Sequence, residues 1–218
     1  MANPSTLTLN PGNIDMGQTM GITINRESAG YTHTVTYEFK GASGTIATKT
    51  SSTSLSLAVP LAWASYIPNA AMGVGSIHVE TYDGSTLIGS RNHTFNAYVP
   101  ESVVPTISSL NFTRIDGDVP AGWGIYVKSK SKATAQISGA SGVYGSTIKA
   151  YTIRGDKYAA GAGSLTTGFL KLSGNVVFTA GVMDSRDRTG WITNSIDVAD
   201  WGPPVVDSLL VQRCTASG

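Results

Sequence analysis

A shortage of charge and a single cysteine set the first limits on this chain. Asp, Glu, Lys and Arg make up 13% of its 218 residues, about half the ~25% usual in soluble domains. The net charge is +1, and no run of Lys or Arg forms a basic stripe. No field gathers phosphate, so nucleic acid is excluded as a partner class. The same shortage removes long surface helices, which draw on Glu, Lys, Arg and Ala at i,i+4 spacing. The lone Cys214 has no internal partner. Packing must therefore hold the fold, and antibody-type domains with a core cysteine pair are excluded. No apolar run approaches the ~20 residues that span a bilayer, so no membrane partner is expected. The start, Met1-Ala-Asn-Pro-Ser5, lacks the basic and apolar regions of a signal peptide. A soluble, unexported chain is expected.

What replaces the charge is Ser, Thr, Gly and Asn, the composition of strands and turns. One repeat organises them. Pro105-Thr-Ile-Ser-Ser-Leu-Asn-Phe-Thr-Arg114 is similar to Pro204-Val-Val-Asp-Ser-Leu-Leu-Val-Gln-Arg213, with Pro, Ser, Leu and Arg recurring at 204 − 105 = 99 residues. That spacing is one β-sandwich domain. The expected fold is all-β, two tandem immunoglobulin/fibronectin-III-like sandwiches over 1–99 and 100–203. Residues 204–218 are expected to be the first strand of a truncated third domain. The proline-rich segments at 98–105 and 201–204 read as short, stiff linkers.

Within 1–99, seven runs read as strands: 6–9, 20–25, 32–40, 44–49, 54–59, 76–82 and 86–99. The segment Pro60-Leu-Ala-Trp-Ala-Ser-Tyr-Ile-Pro68 reads as one helical turn between sheets, with Trp63 and Tyr66 plugging the core edge. Within 100–203, strands are expected at 107–115, 124–127, 133–138, 146–154, 164–170, 176–183 and 191–198. Both domains end in a hairpin with Asp at the turn, Tyr82-Asp83-Gly84 and Asp184-Ser185-Arg186.

Catalytic chemistry leaves no trace in these patterns. No serine sits in a Gly-x-Ser-x-Gly elbow, and His33, His78 and His93 have neither triad nor metal-site spacing. No catalytic residue, metal or cofactor is expected. Asp116-Gly117-Asp118 and Asp184-Ser-Arg-Asp187 have calcium-loop residues but are too short, and read as turns. Arg154-Gly155-Asp156 is the tripeptide of integrin ligands, placed here between strands; Gly-Asp is equally a turn signal. Asn92-His-Thr94 and Asn111-Phe-Thr113 match the N-glycosylation pattern, which has meaning only in a secretory pathway. The candidates for ligand contact are Trp123, in the Pro120-Ala-Gly-Trp-Gly124 turn, and Trp191, on the final strand. Trp201 fits interdomain packing beside the linker prolines. An exposed indole with polar neighbours is a platform for stacking a sugar ring, but core plugging is the favoured reading of Trp191 on a final strand.

The motifs Thr32-His-Thr-Val-Thr-Tyr-Glu-Phe39, Pro60-Leu-Ala-Trp63, Ile67-Pro68-Asn69, the Thr81-Tyr82 to Ile88-Gly89-Ser90 hairpin, the Val99-Pro100 to Pro105 linker and Arg213-Cys214 carry a resemblance. The chain resembles the minor structural proteins of siphophages that infect Gram-positive bacteria. The resemblance covers almost the whole chain and brings no catalytic residues. It implies a non-enzymatic virion protein, synthesised in the host cytoplasm and carried on the tail. Its implied partners are other phage tail proteins and host cell-wall polysaccharide. A bacterial cell-surface adhesin and the accessory carbohydrate-binding modules of a larger enzyme are the competing readings.

Overall fold

The computed structural model describes residues 3–115 and 117–209. The first sandwich contains β1 (Thr6–Asn10), β2 (Asn13–Asp15), β3 (Thr19–Asn25), β4 (Tyr31–Phe39), β5 (Ala42–Thr50), β6 (Ser54–Ala58), β7 (Met72–Asp83) and β8 (Thr86–Tyr98). The second contains β9 (Ser109–Ile115), β10 (Tyr126–Val127), β11 (Lys132–Ser138), β12 (Ile148–Gly155), β13 (Tyr158–Ala160), β14 (Ser164–Thr166), β15 (Gly174–Asp184) and β16 (Thr189–Ala199).

Topology makes the two halves copies of one plan. In the first, the three-stranded sheet β1-β3-β6 faces the five-stranded sheet β2-β8-β7-β4-β5. In the second, β9-β11-β14 faces β10-β16-β15-β12-β13. Position by position the orders agree, down to the short β2 and β10, each parallel to the last strand of its domain. This is the immunoglobulin/fibronectin-III arrangement, with the final hairpin at the centre of the larger sheet.

Strand alternation builds each core. On β3, Met20, Ile22 and Ile24 point inward between exposed threonines and glycine, the pattern of a strand with one wet face. The first core gathers Ile22, Val35, Phe39, Ile77, Val79 and Phe95. The second gathers Leu110, Ile153, Leu170, Phe178, Val182 and Val198. Aromatic rings fill the space that glycines leave on a neighbouring strand. Gly75 pairs directly with Phe95 and Gly155 with Phe178, and a Cβ at either glycine would strike the partner's ring.

The expected helical turn is present as a 3-10 turn at Leu61–Tyr66. Trp63 is buried and stacks on Phe39 at 5.0 Å between ring centroids. Tyr66 does not plug the core as expected. It stays half-exposed and lies over Gly41, whose missing side chain leaves room for the ring, while Trp63, Ala64 and Ile67 fill the core side of the turn. The sequence pattern also missed β2 and β13, each only three residues long, too short for a period to register. The expected strand 164–170 ends at Thr166, and Gly168 and Phe169 follow in a bend.

The junction between sandwiches is packed rather than merely short. Val99 and Val103 of the linker belong to the first core, and Val143 of the second sandwich packs against it. Arg186, on the β15–β16 turn, is fully buried there. Its guanidinium donates to the carbonyls of Ala64 (2.8 Å) and Ile67 (3.3 Å) in the first sandwich. It donates also to Val143 (2.8 Å) and Tyr144 (2.7 Å) in the second. Ser185 Oγ donates to the Pro68 carbonyl at 2.7 Å, and Arg188 Nη2 to the Val99 carbonyl at 3.0 Å. The planar fork of Arg, with its five donors, suits a nest of carbonyls as no other side chain does.

After Ala199 the chain to Leu209 forms no strand, and Val205, Val206 and Leu209 are exposed. The rest of the segment expected to open a third domain, residues 210–218, lies outside the described residues.

Candidate functional site

The titratable groups singled out in the sequence are separate, and most serve the fold. His33 is buried on β4, with Nε2 at 2.9 Å from Ser5 Oγ. His93 Nε2 accepts the Leu7 N–H at 3.1 Å, so its proton sits on Nδ1. Both histidines thus hold β1 and the residues before it against the sheet. Burial, and secondarily the charge of Arg26, pull the His33 pKa below its ordinary value. Burial and then Arg91 do the same to His93. His78 is apart from them, donating from Nδ1 to Asn92 Oδ1 at 2.7 Å on the outer face. Among the described residues no group of three or more His, Cys, Asp or Glu side chains converges as a metal site would require.

The aspartates form turns. Asp184 is buried and its Oδ1 accepts from the Arg186 and Arg188 N–H groups at 2.9 and 3.1 Å, the Asx capping expected of Asp at a turn. Asp118 pairs with Lys130 at 3.2 Å, and Asp116 lies outside the described residues.

In Arg154-Gly155-Asp156 the aspartate is 3% exposed. Its two carboxylate oxygens accept from the Lys171 N–H at 3.0 and 2.8 Å, and Oδ1 also from Leu172 at 2.7 Å. An adhesive tripeptide must offer its carboxylate outward, and this one is spent on the backbone. Asp156 and Lys157 both take positive φ, 47° and 66°, as a two-residue hairpin turn between β12 and β13 requires.

The tryptophans divide. Trp123 is 64% exposed at the tip of the 3-10 turn Ala121–Trp123, which Arg114 braces by donating to the Ala121 and Ile125 carbonyls at 2.7 Å each. It stands alone on its loop. Trp201 is half-exposed, with Lys130 Nζ 4.6 Å from its ring centroid, so its contact is within the second sandwich rather than between domains.

Trp191 lies on the outer face of the large sheet of the second sandwich and is 55% exposed. The register explains its pose. Thr152, Gly181 and Trp191 stand in one row across β12, β15 and β16. Gly181 has no side chain, and a Cβ there would collide with the six-membered ring of Trp191. The indole therefore lies down across the glycine. Ala150, Met183 and Thr189 form the row on one side, and Arg154, Thr179 and Thr193 the row on the other. A groove of about 280 Å³ runs over this face, lined by Trp191, Thr152, Arg154, Met183 and Thr189 among others. No carboxylate lines it. Sequence reasoning names Trp191, and Arg154 only as part of the Arg-Gly-Asp tripeptide; Gly181 it does not name, and the cross-strand register is what brings the three to one face.

Trp191 and its neighbours thus form an exposed groove on the sheet, and comparison with known proteins gives the lineage. The sequence profile of the family described as "Siphovirus protein of unknown function (DUF859)" matches residues 3–217. The chain belongs to this family. No curated protein matches. Among solved structures, the fibronectin(III)-like modules of Clostridium thermocellum CbhA align over 89% of this siphovirus chain and 95% of theirs, at 16% identity and a TM-score of 0.33. Three N-terminal domains of the highly immunogenic outer capsid protein Hoc of bacteriophage RB49 align over 89% of this chain and 58% of theirs, at 13% identity and a TM-score of 0.31. Among the described residues no helix is long and apolar enough to cross a membrane.

Proposed function

We propose that this siphovirus protein is a non-enzymatic structural component of the virion. In this reading it sits on the tail as a stiff two-sandwich arm that carries a sheet face toward the host surface. The observation that supports the reading is the junction. Arg186 is buried between the sandwiches and donates to carbonyls of both. Interdomain contacts of ordinary polar character let domains move, whereas a desolvated guanidinium held by several acceptors fixes one angle. A fixed angle serves a spacer or a display arm and is of no use to a hinge. Membership of a siphovirus family favours the virion over a bacterial adhesin or an enzyme's accessory modules. The partners in this reading are other tail proteins and the host cell wall.

The test is to purify the phage particles, identify their proteins by mass spectrometry and decorate them with antibody raised against this chain. Gold label confined to the tail is the expected result. Particles that lack the protein altogether would overturn the virion role, and label confined to the head would overturn the tail placement.

A further inference from the structure

We propose that the outer face of the second sandwich, centred on Trp191, binds an anionic saccharide by stacking a pyranose ring on the indole and pairing its acid group with Arg154. This deepens the host-contact reading above by naming the chemistry of what is contacted.

Three observations carry it. The indole is seated flat, since Gly181 leaves the slot into which its six-membered ring descends. One face is thereby held against the sheet and the other is turned to solvent. Structural packing alone accounts for the buried face only. Fifty-five per cent of the residue remains exposed, and the open face lies in a groove beside threonines and an arginine. The apolar C–H face of a pyranose matches a flat aromatic ring, and its rim hydroxyls need hydrogen-bond partners close by. Thr152 and Thr189 line the same groove, and Thr179 stands in the neighbouring row beside Arg154.

Charge decides the class of sugar. Arg154 is exposed on the adjacent row, and among the described residues no carboxylate lines the groove or pairs with its guanidinium. A planar fork of donors with no internal acceptor fits a carboxylate or a phosphate monoester or diester. The groove, about 280 Å³, falls at the small end of ligand pockets (~300–1,000 Å³) and is open along the sheet. It suits a short stretch of a polymer more than an enclosed metabolite. In the corresponding groove of the first sandwich the ring is Tyr37, which packs against the core and lies 5.4 Å from Trp63 between ring centroids. Thr36, Glu38, Ser76 and His78 also line that groove of about 510 Å³, and Glu38 would repel the same ligand.

The test uses the full chain and three probes by calorimetry: an oligosaccharide of uronic acid, a sugar-phosphate oligomer and a neutral gluco-oligosaccharide. Binding of either anionic probe above the neutral one is expected, and which of the two binds identifies the acid as carboxylate or phosphate. Trp191→Ala should weaken it at least about tenfold. Arg154→Gln should weaken it about three- to tenfold, abolish the preference over the neutral probe and flatten the salt dependence. Trp191→Phe, which keeps a flat ring, should retain partial binding, and serves in place of the alanine variant if that one does not fold. The proposal is overturned if no probe binds at millimolar concentration, if the neutral probe binds equally well, or if binding survives both Trp191 variants unchanged. It is overturned also if the chain sediments as a dimer that Trp191→Ala dissociates, for the face would then belong to a second copy. Particle composition tests the virion role independently of these outcomes.

Discussion

The two sandwiches share strand order and register plan yet differ in what they turn to water and in how they are held. The large sheet of the first presents Thr36, His78 and Asn92 in one row and Glu38, Ser76 and Thr94 in the next. The same sheet of the second presents Trp191 over Gly181, flanked by Met183 and Arg154. The outer residues of a strand make no contribution to the core, so two copies of one fold can diverge there without disturbing it. Inside, the first sandwich builds an aromatic column from Tyr37, Trp63, Phe39 and Phe95. The second relies on one edge-to-face pair, Phe112 and Phe178, with ring centroids 5.1 Å apart. All three histidines fall in the first sandwich, so imidazole titration is confined to it.

The strongest way to break the pairing of the two halves is Arg186→Ala. It would strand the carbonyls of Ala64, Ile67, Val143 and Tyr144 and leave the buried Asp184 without the guanidinium 4.0 Å away. Removing one member of such a buried pair costs about 3–5 kcal/mol. Calorimetry should show a single melting transition in the wild type and two separate transitions in the variant.

Core truncation comes next. Phe95→Ala and Phe178→Ala should each cost about 3–5 kcal/mol. In the Arg186→Ala background, each should lower only the transition of its own sandwich. If Phe95→Ala lowered both, the division into two cores would be wrong.

Acid should separate the halves more gently. His33 and His93 are held neutral in the folded state, with pKa values below the ordinary 6.5. The unfolded chain therefore takes up protons first. Their contribution is complete above pH 6.5 and is lost as pH falls from there through the lowered folded values. The first sandwich should lose stability from pH 7 to 5 while the second does not. His93→Gln, whose side-chain oxygen can accept the Leu7 N–H, should reduce that slope. Followed in the Arg186→Ala background, where the two transitions separate, equal slopes for both would refute the assignment.

The smallest effect is a gain. Lys157 is exposed and adopts φ 66°, a strained region for a residue with a Cβ, whereas the final hairpin of the first sandwich has Gly84 at φ 54°. Lys157→Gly should stabilise the second sandwich by about 0.5–1 kcal/mol, read as a rise in its melting temperature.

Much of the fold could be read from the order of residues alone. Alternation on β3 and β4, the turn residues between runs and the proline-bounded segment at 60–68 are local signals, and local geometry answers to them within a few residues. The shortage of charge fixed the class as mainly β for the same reason. Contacts between distant positions carry no such period. Nothing near Asp156 announces that its carboxylate will cap the N–H groups of Lys171 and Leu172, so the adhesive reading of that tripeptide could be dismissed only in three dimensions. Arg186 looked like one more turn residue until folding carried it to the end of the Leu61–Tyr66 turn, where it meets Ile67, 119 residues away in sequence. Trp191 was visible as a tryptophan on a last strand. That it lies flat, beside an exposed arginine, depends on the register of three strands and on the absence of one side chain at Gly181. Sequence determined which faces would be buried, because burial follows the two-residue period of a strand. Tertiary structure decided what the exposed faces bring together, because their neighbours come from other strands.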